Sequence, residues 1–218
     1  MRGFYTGHTL FALAAITLFP AAALAQKWEV GGGGGASFYT GKDITGRNNA
    51  SGTFKPQGGV AVTGVIGNNM YDYISGEFRY TWQKNDLSLN SGGANVKFGA
   101  RSSAFHYDLV IHTASVRQKV RPFVSAGAGI KLYEGTGKEV VAQPLSSLAF
   151  LTKTREAKPL ITFGGGVKVA VSERLLFRAE VKDYFSQVPT KVAAPAPGAN
   201  LGGWFHNIVA LFGVSVLF

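Results

Sequence analysis

The chain has 218 residues, 46% of them hydrophobic, with 29 glycines, no cysteine and a formal net charge of +10. It is too apolar to be disordered, its length fits one domain, and it can hold no disulfide framework, lipid-bearing cysteine or thiol chemistry. A basic cytosolic protein would suggest nucleic acid, but these cations are scattered, and the start of the chain argues for export.

Arg2 is the only charge in "MRGFYTGHTL", "LFALAAITLF" is an apolar run, and "PAAALA" ends on Ala23-Leu24-Ala25. A positive start, a short apolar stretch and a small-x-small site mark residues 1–25 as a secretory signal peptide, cut after Ala25 with Ala23 completing the site. The apolar run is short against the ~20 residues of a spanning helix. Without Arg2, 21 basic residues face 12 acidic ones, a balance of +9 for residues 26–218. An exported protein does not meet nucleic acid, so the expected partner of this charge is an anionic lipid headgroup surface.

No segment after Ala25 reads as a spanning helix; the longest nearly apolar run, "IVALFGVSVLF", has about half the required length. Period-2 alternation bounded by turn residues instead predicts eight strands, roughly 27–39, 55–67, 70–82, 97–112, 121–133, 159–171, 175–185 and 204–218. The first, with "VGGGGGASF", holds five glycines. Glycine weakens an isolated strand by about 0.5–1 kcal/mol per residue but serves where a barrel bends or interior side chains need room. "GGGGGASFYTGKD" imitates a phosphate loop, yet Lys42 is followed by Asp43 rather than Ser or Thr, so nucleotide binding is rejected.

In "YDYISGEFRYTW" one face carries Ile74, Gly76, Phe78, Tyr80 and Trp82, and the other Ser75, Glu77, Arg79 and Thr81. "FHYDLVIH" sets Phe105, Tyr107, Leu109 and Ile111 against His106, Asp108 and His112. The two outer histidines would stand about 20 Å apart along a strand, so the three residues make no metal shell. A lipid-acting hydrolase needs a His beside a Ser, oriented by a carboxylate; His112 with Ser115 at a turn, and His206 before Asn207, do not match that pattern. No cofactor is expected. "SAGAG" and "FGGGV" interrupt the fifth and sixth strands, which also carry Lys131 and Lys168. In "LLFRAEVKDYF", Phe177, Ala179, Val181 and Phe185 oppose Arg178, Glu180 and Lys182, with Asp183 breaking the apolar face. The last strand aligns Ile208, Ala210, Phe212, Val214, Val216 and Phe218.

Connections alternate in length. Short ones lie at Asn68-Asn69, "TASVRQKV" and Ser172–Arg174, and long ones at 40–54, 83–96, 134–158 and 186–203. Strict alternation is the signature of an up-and-down meander with tight turns at one end. One face is almost free of charge, with Trp28, Trp82 and Trp204 at segment ends, as suits lipid. The predicted fold class is therefore all-β: a closed eight-stranded antiparallel up-and-down transmembrane β-barrel over residues 26–218. The polar face must then line the lumen, as a charge network of Glu77, Arg79, Asp108, Lys131, Lys168, Arg178, Glu180 and Lys182, with Lys168 and Glu180 as neighbours across the turn at Ser172. That network reads either as a salt-bridged plug, since eight strands leave an interior just wide enough for side chains, or as the lining of a narrow path. The loop 134–158 holds the apolar "VVAQPLSSLAFL", able to fold onto the rim or form a short helix, and "VPTKVAAPAPGANLGG" reads as flexible. Neither carries a recognisable binding motif.

The signal peptide, the eight alternating strands, "RPFVSAGAGIKLY", "LLFRAEVKDYFS" and the terminal "LFGVSVLF" resemble the small outer-membrane β-barrel family around the OmpA membrane domain, OmpX and OmpW. The resemblance implies an outer-membrane location among lipids and lipopolysaccharide, and a non-enzymatic structural or surface-interaction role through the loops. The alternative it implies is a narrow OmpW-type channel for small solutes. It also implies that Ala210, Phe212, Val214, Val216 and the final Phe218 form the signal read by the barrel-assembly machinery. The periplasmic peptidoglycan-binding domain of full-length OmpA-type proteins is expected to be missing.

Overall fold

The computed structural model describes residues 28–47, 50–140 and 142–218. The signal peptide and its cleavage positions, Ala23 and Ala25, lie outside the described residues. In chain order the strands are β1 (Trp28–Tyr39), β2 (Lys42–Thr45), β3 (Ser51–Pro56), β4 (Gly59–Asn69), β5 (Ile74–Lys84), β6 (Leu87–Ser91), β7 (Ala94–Phe98) and β8 (Ala100–His112). They continue as β9 (Val120–Gly135), β10 (Ala149–Leu151), β11 (Arg155–Ala170), β12 (Leu175–Gln187), β13 (Ala193–Pro195), β14 (Trp204–Phe205) and β15 (Asn207–Leu217).

Eight of these close a barrel. Antiparallel pairing runs β1–β4–β5–β8–β9–β11–β12–β15 and returns from β15 to β1. The seam is sealed to its last residue: Trp28 and Phe218 exchange both backbone hydrogen bonds at 3.0 Å. The alternation read from the sequence sets the faces. Val30, Val62, Ile66, Phe78, Phe105, Leu109, Phe163, Phe177, Phe212 and Val214 point out, while Glu29, Glu77, Arg79, Asp108, Thr162, Lys168 and Glu180 are buried inside. The eight strands have 11 to 16 residues against the roughly 9–11 that cross a bilayer, and the longest, β9 and β11, project at the long-loop end.

Two interior glycines are required by close approach of the neighbouring strand. A Cβ on Gly127 would lie 2.2 Å from Asp108 Oδ1 and 2.3 Å from Tyr107 O, and one on Gly166 would lie 2.3 Å from Ala179 O and 2.7 Å from Glu180 Cβ. The glycine-rich stretches of β9 and β11 thus make room for large polar side chains in a narrow bore.

Three expectations are corrected. Asn68 and Asn69 belong to β4, paired with Gly76 and Ser75, and the reversal falls at 70–73, where Tyr71 and Ile74 bond to each other. The long connections carry strands of their own: β2, β3, β6 and β7 make a four-stranded sheet, and β10 pairs with β13. The segment expected to be flexible is instead tied down. Val188, Val192 and Ala193 are buried, Thr152 N donates to Val192 O at 2.8 Å and Ala196 N to Leu148 O at 2.9 Å. Proline-rich composition loosens a free chain, but here apolar residues from four loops supply a common core. Ile44, Phe54, Leu87, Leu89, Leu148, Leu151 and Phe205 join it. The apolar loop 134–158 folds onto this rim as expected, through turns and β10 and without a helix among its described residues. The result is a folded cap over one mouth of the barrel.

Candidate functional site

The lumen is where the chain's unusual chemistry gathers. Glu77 on β5 is fully buried and accepts from three cations: Lys168 at 2.8 Å, Arg178 at 2.5 Å and Arg79 at 2.8 Å. Arg79 uses its two terminal nitrogens on Glu180 and sets Nε 3.2 Å from Asp108. Lys168 also reaches Glu29 at 2.5 Å. Arg178 lies 3.7 Å from Glu29 and 3.5 Å from Glu180. A second knot sits beside the first. Lys182 donates to Asp108 Oδ2 and to Ser125, each at 2.8 Å, and Thr162 donates to Asp108 Oδ1 at 2.6 Å. His106 Nδ1 stands 3.0 Å from the same oxygen and its ring meets Tyr184 edge-on.

Four carboxylates, Glu29, Glu77, Asp108 and Glu180, therefore face four cations, Arg79, Lys168, Arg178 and Lys182. Counted over these ion pairs the layer is charge-neutral, with the buried Arg121, cross-strand from Lys168, adding a cation on its tight-turn side. Neutrality matters because a buried ion is tolerable only with a partner and hydrogen bonds that offset its desolvation.

Seven of the eight residues singled out in the sequence lie in this layer, and Lys131 does not. Its ammonium has no carboxylate within ion-pair distance among the described residues. It donates to Tyr39 Oη at 2.8 Å and Asn207 Oδ1 at 2.7 Å, over the rings of Tyr39, Tyr133 and Tyr184 at 4.8, 5.3 and 5.5 Å. Aromatic faces attract a cation, and this lysine forms a separate layer nearer the cap. The expected Lys168–Glu180 pair is also corrected. Lys168 lies opposite Arg178, and Glu180 opposite Gly166, so Lys168 turns across the bore to Glu29 and Glu77. Glu29, absent from the sequence-derived set, completes the balance; its position between outward Trp28 and Val30 signalled an inward side chain.

Above the Lys131 layer, Tyr39 stacks on Phe205 at 5.5 Å, and Tyr133 lies 6.2 Å from the same ring. Phe205 thereby joins the lumen filling to the cap core. Two voids along this stack are small: about 10 Å³ beside Arg79, Arg178 and Glu180, and about 10 Å³ beneath the cap between Tyr39, Tyr133 and Leu87. Each holds one water at most. At the tight-turn mouth a cavity of about 220 Å³ opens among Arg117, Lys119, Arg121 and Lys168.

Two histidine–carboxylate pairs occur, His106–Asp108 in the bore and His206–Asp183 on the outer surface, the latter at 2.6 Å. Neither imidazole meets a Ser or Thr hydroxyl through its other ring nitrogen among the described hydrogen bonds, so neither has the nucleophile an acyl-transfer site requires. Among the described residues no group of three His, Asp or Glu side chains is placed to hold a metal.

The family described as outer membrane protein beta-barrel domain matches residues 11–214. No curated protein sequence matches the chain. Among solved structures, the chain is similar to Neisserial surface protein A, at 12% identity and a TM-score of 0.55 over 88% of this chain and 97% of that one. It is also similar to the outer membrane protein OprG from Pseudomonas aeruginosa, at 12% identity and a TM-score of 0.57 over 89% of this chain and 97% of that one. At such identity the likeness is one of fold.

Proposed function

The chain belongs to the outer membrane protein beta-barrel domain family, and on that premise we propose that it is an integral outer-membrane protein with a closed lumen, acting through its folded external cap in envelope structure or surface interaction. The observation that carries this reading is the stack of the neutral charge layer, the Lys131–tyrosine layer and the apolar cap along one bore. Side chains fill an eight-stranded barrel, and the cap offers a preformed surface on which ordering has already been completed. Loops on a rigid scaffold are where recognition usually resides. The rival reading is a narrow channel for small solutes. Swelling of liposomes holding the refolded protein in amino acids or sugars tests the choice: swelling no faster than in empty liposomes is expected, and solute-dependent swelling would assign the channel instead.

The reading includes export by the 1–25 leader and insertion by the barrel-assembly machinery. The terminal row Ala210, Phe212, Val214, Val216 and Phe218 supports the latter, since it faces outward and Phe218 is 62% exposed while its backbone closes the barrel. Removing its ring costs the folded state little packing. Phe218→Ala is therefore expected to reduce the amount of heat-modifiable protein in cellular outer membranes several-fold while leaving refolding into detergent unchanged. Equal amounts in cells would remove the signal role.

A further inference from the structure

Outward-facing charges on the barrel strands are few and unevenly placed. They are Lys84 on β5, Arg101 on β8, Glu134 on β9, Arg155 on β11 and Asp183 on β12, the last held by His206. The first four are cross-strand neighbours in one register: Lys84 opposite Arg101, Arg101 opposite Glu134, and Glu134 opposite Arg155. With strands about 4.8 Å apart, they form a level row roughly 15 Å long.

The row has a defined height. Directly below it on the same strands come Trp82, Ser103 and Leu132, then Tyr80, Phe105 and Ile130. Tyr80 Oη stands 3.2 Å from Ser103 Oγ, which marks where apolar belt gives way to polar interface. At the opposite edge the outward strand positions Trp28, Ile74, Ile111, Val120, Leu175 and Phe218 are uncharged, and exposed charges there, among them Asp72, Lys119, Glu173 and Arg174, lie in the turns beyond the described strands. A row of outward charges on the strands themselves, in register across four of them, is found on the side of the cap.

The row is also organised. Glu134 accepts from Arg101 Nε at 2.9 Å and from Arg155 Nη2 at 2.8 Å, which aligns two guanidinium groups beside Lys84 and leaves two positive charges in excess. Arg155 remains 76% exposed along its side chain, and Arg101 46%, so their other donors face the lipid side. Below the row, Phe78–Tyr107 and Tyr80–Phe105 ring pairs at 4.8 Å wall an outward groove of about 640 Å³ over Gly64 and Ala128.

We infer that Lys84, Arg101 and Arg155, ordered by Glu134, bind the phosphate groups of a phosphorylated glycolipid in the outer leaflet, with its acyl chains against the aromatic ridge below. Guanidinium forks match phosphate oxygens, and each cation near an anionic headgroup plane adds to retention. This inference rests on the membrane-spanning reading of the barrel.

The test is native mass spectrometry of the folded protein in detergent with bis-phosphorylated lipid A or its dephosphorylated form as the probe. The variants are Lys84→Gln/Arg101→Gln/Arg155→Gln and, for equal loss of charge on the cap, Lys42→Gln/Lys55→Gln/Lys97→Gln. Wild type and the cap variant are expected to retain the phosphorylated lipid roughly tenfold better, and the row variant to lose that preference. If the triple variant does not fold, Arg155→Gln alone is expected to lower the preference about threefold. Equal retention of both lipids, or an unchanged preference in the row variants, would overturn the site. Insertion into phosphatidylcholine vesicles is scored separately, by heat-modifiable migration; its failure counts against the spanning barrel and not against the row.

Discussion

Glu77→Gln is expected to lower the stability of the folded barrel by about 3–5 kcal/mol, the usual cost of stripping one partner from a buried ion pair. Glu77 is the hub of the interior layer, since Lys168, Arg178 and Arg79 all converge on it. The amide keeps the shape and deletes one negative charge, so four carboxylates facing four cations become three against four. Each stranded cation keeps another carboxylate, Glu29 for Lys168 and Glu180 for both arginines, which holds the effect near one broken pair rather than three. Arg101→Gln serves as the contrast. Its ion pair with Glu134 lies outside the bore, exposed on the outer face at headgroup level, and exposed pairs contribute at most about 1 kcal/mol. Urea unfolding of both variants in lipid vesicles distinguishes the two environments. A Glu77 variant within about 1 kcal/mol of wild type, below the cost of a broken buried pair, would mean that the layer is not an energetic unit.

Phe205→Ala is expected to act at the other end. The ring is 1% exposed, stacks on Tyr39 and borders Tyr133, and its loss leaves a cavity where cap core and lumen filling meet. Truncations of buried Phe cost about 3–5 kcal/mol. Most of the cost should fall on the cap, because its contacts are made by loop strands that can open while the barrel ladder stays closed. Hydrogen exchange is expected to rise in β2, β3, β6, β7, β10 and β13, with the eight barrel strands still protected. Uniform loss of protection across the barrel would show cap and barrel to be one cooperative unit.

The barrel itself was legible because a period of two leaves little freedom. Once Phe78, Tyr80 and Trp82 share a face, Glu77 and Arg79 must share the other, and this held in every spanning strand. Partnerships inside the bore were not legible in the same way. Register relates Lys168 to Arg178 on the adjacent strand, whereas its carboxylates come from β1 and β5 across the lumen. A reading of adjacent strands has no access to that distance. Glu29 was recoverable by parity alone, but a lone acid ahead of five glycines offers no amphipathic pattern to draw attention. The cap was least legible. Its core takes Phe54, Leu89, Leu148, Val188 and Phe205 from separate connections, and no single loop is apolar enough to announce a fold. Val188, Val192 and Ala193 lie among prolines and alanines that favour an open chain, and burial against other loops overrides that tendency.

The closed lumen is tested most directly by ion conductance of the refolded native chain in planar bilayers, in 1 M salt on the order used to screen surface charge, at both polarities. Protein insertion is verified in the same preparation by heat-modifiable migration. The charge layer, the Lys131–tyrosine layer and the cap together require a current indistinguishable from that of the bare bilayer. Reproducible steps whose amplitude scales with salt concentration would contradict the account and make the polar bore a conducting path.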